Sequence, residues 1–211
     1  CSQSRGLGDV YKRQPYMWGT IGIGYRKSKV SKVPDSWSTL FESSEYSGRI
    51  AVLNSPSETI PVAMKYLGYS LNTADPAAVK AVEDLMIKQK QHIKVFAEDN
   101  GQDLLLSGEV DLTMEYNGDI IQVQEEDDDI AYIVPKEGTL LWEDCLCIPK
   151  GALHPENAHA FINYLLDGDA GALIADFIQY ATPNGVAKAK LGDDYRNNPA
   201  IFPTDDVLRR S

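Results

Sequence analysis

Residues 49–68 read Arg-Ile-Ala-Val-Leu-Asn-Ser-Pro-Ser-Glu-Thr-Ile-Pro-Val-Ala-Met-Lys-Tyr-Leu-Gly. Ile50 to Leu53 form a short, continuous apolar run of the kind that makes a buried strand. Ser55-Pro56-Ser57-Glu58 follows at once, with Ser at the N-cap, Pro in the first turn and Glu at capping-box spacing, so a helix should open here. It should reach about Leu67 and stop at Gly68, with Pro61 kinking or shortening it. A buried strand that runs straight into a helix start is the repeating unit of an α/β fold, with at least part of the sheet parallel.

The pattern continues outward. Asp75-Pro76 opens a helix whose apolar positions Val79, Val82, Leu85 and Met86 recur at three and four. A short helix over Asp103 to Leu106 should end at Gly108, before a strand from Val110 to Met114. At the turn Tyr116-Asn117-Gly118-Asp119 a new helix begins. Glu125 to Asp129 is an unbroken acidic run that reads as a solvated loop before a strand from Ile130 to Val134. Leu140 to Ile148 is strand-like, and amphipathic helices follow over about Pro155 to Leu166 and Ala170 to Ile178. The tail from Ala181 to Ser211 has turn signals and one short helix at most. Upstream, Pro15 to Tyr25 is aromatic, β-branched and glycine-containing, a strand in which Gly permits a bend or a close backbone approach. It has neither a phosphate loop's Gly-Lys-Ser/Thr nor the glycine spacing of a dinucleotide fingerprint.

Composition bounds the function. Of 211 residues, 31 are acidic and 20 basic, for a net charge of −11, which argues against nucleic-acid binding. A chain of this length buries roughly 70% of its unfolded surface and needs no disulfides or metal to hold a core. No apolar run approaches the roughly 18 residues of a membrane span. Cys145 and Cys147 lie two apart on a strand and read as small buried hydrophobes rather than a disulfide or metal pair. Residues 1–14 lack periodicity and carry excess positive charge; they resemble a translated adapter and are expected to be non-native and disordered. A rival reading makes Cys1 the lipidated cysteine of a bacterial lipoprotein.

Catalytic signatures are weak. His92 ends a Lys/Gln-rich helix, and His154 and His159 are about 140° apart around a helix, too far to share a ligand face. No nucleophile elbow or His-Glu-x-x-His occurs. What recurs is acid beside aromatic at strand ends: Tyr116 with Asp119, Trp142 with Asp144, Tyr180 after the last long helix, and Glu58 in the turn after the 50–53 strand. Strand carboxyl ends are where α/β folds bind ligands. Aromatic faces attract cations and carboxylates accept charge-assisted hydrogen bonds from ammonium groups, so together these residues describe a box for an organic cation. Each has a structural reading as well. Glu58 completes a capping box, Tyr116 and Trp142 are core aromatics, and Asp119 caps the next helix. Asp144 is harder to place structurally, because a carboxylate inside an apolar strand is costly unless it is paired or faces a polar cleft.

The chain resembles the substrate-binding components of spermidine/putrescine ABC transporters from about Pro15 onward. The resemblance is carried by Pro-Tyr-Met-Trp-Gly-Thr-Ile-Gly-Ile-Gly (15–24), Leu-Gly-Tyr-Ser (67–70), Tyr-Asn-Gly-Asp (116–119), Pro-Lys-Glu-Gly (135–138), Trp-Glu-Asp (142–144), Ile-Asn-Tyr-Leu-Leu (162–166) and Tyr-Ala-Thr-Pro-Asn (180–184). It implies a class II periplasmic binding protein fold whose two lobes close around the ligand. Residues 15–24 would be a hinge strand, 25–135 the second lobe, and 136–211 the return hinge with the C-terminal part of the first lobe.

It further implies Glu58, Asp119 and Asp144 as ammonium ligands and Tyr116, Trp142 and Tyr180 as walls for the methylene chain. Ser55 stands at a position that is acidic in spermidine-preferring members, and Tyr116 where Trp is usual. No cofactor and no metal are expected. The partners would be a polyamine and a membrane permease, the protein a periplasmic monomer made with a signal peptide, and the activity binding rather than turnover. The N-terminal half of the first lobe would precede Pro15, so these residues alone should bind weakly or not at all, with 136–211 poorly packed. A binding protein of the same superfamily for ferric ion or an amino acid is the nearer alternative and a hydrolase the remoter one. Paired tyrosines for iron, or an Arg for an α-carboxylate, are not evident beside this cluster.

Overall fold

The computed structural model describes residues 13–211. The adapter-like segment, up to residue 12, and the lipidated reading of Cys1 lie outside the described residues. Arg13 and Gln14, expected to belong to the disordered adapter-like segment, are instead part of the first strand, β1 (Arg13–Arg26). Two compact units form: a flanking unit from the chain up to Gly19 with Leu141–Phe202, and a central unit from Thr20–Leu140 with Pro203–Ser211. The division therefore comes at 19/20 and 140/141, and the last nine residues belong with the central unit.

The central unit is a mixed sheet with helices. β2 (Ile50–Leu53) is buried at all four positions and leads into α2 (Pro56–Tyr66). Then come α3 (Pro76–Gln89), β3 (Ile93–Ala97), α4 (Gly101–Leu106), β4 (Leu112–Tyr116), α5 (Asn117–Gln124) and β5 (Ile130–Ile133), with a short α1 (Ser38–Phe41) before β2. The strand order is β3-β2-β4-β1-β5; β2 runs parallel to both β3 and β4, and β1 antiparallel to β4 and β5. Parallel neighbours need crossovers, which the helices between them supply. A cluster of Ala51, Ala97, Leu105, Val110, Ile120, Val123 and Ile130 forms part of the core. A Cβ at Gly22 would collide with the Tyr132 ring, so glycine here lets β5's aromatic lie directly on β1, the close approach expected of this strand.

Three local readings change. α2 has no side-chain cap, because the Ser55 hydroxyl turns to the Ser57 hydroxyl at 3.0 Å, so Glu58 completes no capping box. Val79 faces solvent, while Val82 and Leu85 are buried as expected and Ala78 and Gln89 join them. The acidic run is more than a solvated loop: Arg26 reaches Asp127 at 2.7 Å and Asp129 at 3.4 Å. Asp129 also accepts from the Ser28 amide at 2.7 Å and hydroxyl at 2.6 Å. The hydroxyl bond is the main reason its carboxyl titrates below the usual range.

In the flanking unit, β6 (Leu141–Cys147) pairs with β1, and α6 (Pro155–Leu165), α7 (Gly168–Ile178), α8 (Gly185–Lys190) and α9 (Asp193–Arg196) follow. With α10 (Asp205–Arg210) of the central unit, the tail holds three short helices where one at most was expected. Asn184 caps α8 through Val186 and Ala187, and Thr204 caps α10 through Val207. Trp18 pairs with Ala181 in an isolated antiparallel bridge, and Trp18, Phe202 and Tyr195 pack edge to face. Burial elsewhere is thin. α6 buries no residue, and Leu153 and Phe177 are 89% and 79% exposed. Cys145 is half-buried and Cys147 exposed, both with free thiols, so they are not the buried hydrophobes that the apolar strand text suggested. Among the described residues, no helix is long and apolar enough to cross a membrane.

Candidate functional site

In the central unit, β2, β3 and β4 end side by side, and the sequence places polar groups just beyond each end. Ser55 and Glu58 sit at the start of α2, and Tyr116 is both the last residue of β4 and the N-cap of α5, with Asp119 in the first turn. Leu53, Asn54, Ser55, Ala97, Glu98, Asp99 and Tyr116 line a hollow of about 330 Å³ at these ends. This is where an open parallel sheet exposes its helix starts to a ligand.

Carboxylates crowd this place. The Tyr116 phenol is pushed up, first by burial and then by the negative charges of Glu58, Asp99, Glu115 and Asp119. The oxygens of Asp99, Glu115 and Asp119 lie within 4.8 Å of one another, close enough to surround one cation. The four residues named from the sequence in this unit, Ser55, Glu58, Tyr116 and Asp119, thus stand at one end of the sheet. Their structural readings are only partly met. Asp119 lies two residues past the first position of α5 and Tyr116 takes the N-cap, while Tyr116 is only half-buried.

Asp99 and Glu115 were not singled out by sequence. Glu115 is a carboxylate inside the apolar strand Leu112-Thr113-Met114-Glu115-Tyr116, the same signal that marks Asp144. Asp99 opens Asp-Asn-Gly two residues past the end of β3, and its φ of 55° puts it in the left-handed region, which Asp tolerates better than most residues. The turn signal was legible, although its place at a strand end required the topology.

The flanking unit brings together Trp142, Asp144 and Tyr180. The Trp142 and Tyr180 rings meet edge to face with centroids 4.9 Å apart and planes at 80°. Asp144, two residues after Trp142 on β6, is exposed, which removes the desolvation cost that a carboxylate in a buried strand would carry. Tyr16, on β1, was also passed over by sequence. Its phenol is pushed up by burial first and by the Asp144 charge second. Each unit therefore presents aromatic faces with acids beside them, a chemistry suited to cations with an apolar body.

The family model for bacterial extracellular solute-binding proteins matches residues 8–204. A putrescine-binding periplasmic protein, SpuD, of Pseudomonas aeruginosa is 33% identical, with 93% of this chain and 58% of that protein aligned. A spermidine/putrescine-binding periplasmic protein of Escherichia coli is also 33% identical over 92% of this chain and 56% of its own length. Among solved structures, the spermidine/putrescine ABC transporter substrate-binding protein PotD of Streptococcus pneumoniae superposes with a TM-score of 0.82 at 30% identity, over 94% of this chain and 61% of that one. The chain spans somewhat over half the length of the curated relatives it matches. On the extent of the family match and the shared α/β architecture, the chain belongs to the bacterial extracellular solute-binding proteins and has the fold of the periplasmic binding proteins.

Proposed function

We propose that this chain is the polyamine-holding part of a substrate-binding protein that captures putrescine or spermidine outside the cytoplasm. It acts as a monomer, hands its ligand to the membrane permease of an ABC transporter and performs no chemical turnover. Glu58 and Asp119 are ammonium ligands beside the Tyr116 ring, Ser55 is a hydroxyl contact, and Asp144 is an ammonium ligand beside Trp142 and Tyr180. The observation that carries this reading is the gathering of the Asp99, Glu115 and Asp119 carboxyl oxygens within 4.8 Å of one another at the strand ends, where Asp99 and Tyr116 line one hollow. Such a place repels anions and favours a cation, and the ring beside it suits the methylenes of a diamine. The printed names of the relatives support the same ligand class.

Nuclear magnetic resonance titration of the chain with putrescine and spermidine at millimolar concentration tests the assignment. Shifts grouped on Glu58, Tyr116 and Asp119, and on Trp142, Asp144 and Tyr180, are expected. Shifts confined to other acidic surface, or equal shifts with sodium at the same ionic strength, would remove the polyamine reading.

A further inference from the structure

Glu115 precedes Tyr116 on β4 and is wholly buried, at 0% exposure. Its two oxygens accept from different elements: Oε2 from the Gly101 amide at the start of α4 at 3.1 Å, Oε1 from the Tyr116 amide at 3.0 Å. Gly101 is required for this brace, since any Cβ there would collide with Oε2 and with the Thr113 hydroxyl. The groups facing Glu115 are Asp99 from the turn after β3, Asp119 from α5, Tyr116 from its own strand and Tyr132 from β5, with Glu58 of α2 acting on the same Tyr116 ring. All are neutral or negative.

Burial is the largest influence on the Glu115 carboxyl and the charges of Asp119 and Asp99 add to it. The two backbone amides pull the other way, and the group ends at about 8. The oxygens of Asp99 and Asp119 lie within 4.8 Å of the Glu115 carboxyl, so their charges act on it directly. Asp99 also lines the hollow beside Tyr116, so a charge that arrives in the hollow stands next to a carboxylate within 4.8 Å of Glu115 and acts on both.

We propose that Glu115 exchanges its proton for the bound cation: it is neutral while the hollow is empty and releases its proton to the bulk when an ammonium group settles on Asp119, beside Asp99. This rests on the amine-binding reading above. A positive charge about 5 Å from Glu115 would lower the pH at which it titrates by about one to two pH units. Capture then becomes pH-dependent, with affinity rising at most about tenfold per pH unit until Glu115 ionises by itself near pH 8.

The test follows the Glu115 carboxyl carbon by NMR in the glutamate-labelled chain, assigned with Glu115→Gln, from pH 5 to 9 in sodium chloride or in putrescine of matched ionic strength. The expected result is a midpoint near 8 in salt that falls by about one pH unit or more in putrescine. A midpoint in the ordinary carboxylate range, or one that putrescine leaves unmoved while Tyr116 and Asp119 respond, overturns the exchange but leaves the binding reading intact. No response to putrescine at any resonance removes both.

Calorimetry of putrescine binding to the wild-type chain at pH 7, in two buffers of different ionisation heat, reads the same proton and needs no variant. A heat that tracks the buffer supports release, and a buffer-independent heat overturns it. Glu115→Gln, which mimics the neutral carboxyl, should abolish any buffer dependence.

Discussion

The Tyr195 hydroxyl donates to the backbone oxygen of Tyr180 at 2.5 Å and accepts from the Thr182 amide at 3.2 Å. One buried phenol thus satisfies both polar groups of the segment that turns the chain out of α7 and places the Tyr180 ring against Trp142. Burial pushes the phenol up to about 12, so it stays a donor throughout the physiological range. Tyr195→Phe keeps the ring contact with Phe202 but removes both of these hydrogen bonds, which should cost about 1 to 3 kcal/mol. Urea denaturation measures the loss. Faster hydrogen exchange at Thr182 should accompany it, and unchanged exchange there would assign the bond no structural role.

The ligand assignments predict a pair of losses. Glu58→Gln and Asp144→Asn each remove one charged acceptor from an exposed or half-exposed position, so neither should unfold the chain. Each should weaken putrescine binding by about 1.5 to 3 kcal/mol, the range for hydrogen bonds to charged groups. Titration of each single variant reads this directly, and a variant with unaltered binding removes its residue from the site.

How far the sequence carried this picture depends on the scale of the signal. The strand-helix alternation was legible because Ile50–Leu53 is apolar at every position and Ser55-Pro56 and Asp75-Pro76 announce helices in the next breath of sequence. The grouping of Tyr116 with Asp119 was legible because they lie on one turn. Short elements were not: α8, α9 and α10 have four to six residues each, and Asn184 and Thr204 read equally well as turn residues or caps. The exposure of Cys147 was hidden for another reason. An apolar strand text states what a strand can bury, and β6 covers little of its own surface within the described residues. Asp99 comes to Glu115 only through the pairing of β2 with both β3 and β4, which no local pattern states.

The exposed aromatic surface of the flanking unit makes a simple prediction. Phe161 and Phe177 are 59% and 79% exposed, so they contribute little to the stability of the described fold. Phe161→Ser and Phe177→Ser should each change unfolding free energy by no more than about 0.5 kcal/mol, as expected for surface positions. They should also reduce binding of a hydrophobic dye and light scattering at high protein concentration, because large exposed apolar patches promote association. A loss of several kcal/mol would mean that these rings are buried in solution.

Glu115 also links stability to pH, with a sign opposite to that of a salt-bridged carboxylate. Its titration in the folded chain lies at about 8, well above the roughly 4.3 of an unfolded glutamate. Between these values the folded state holds a proton that the unfolded state has lost. Stability from this group is therefore full below about pH 4 and falls by about 1.4 kcal/mol for each pH unit until pH 8, where it levels off. Asp129 runs the other way: its carboxyl is depressed, so its contribution is present above the ordinary aspartate range and is lost as pH falls through the folded value. The two groups titrate in windows that do not overlap, so one denaturation series from pH 3 to pH 9 separates them. Glu115→Gln should flatten the upper window and leave the lower one intact, and a wild-type chain whose stability does not decline between pH 5 and 8 would show that Glu115 is ionised in the folded state.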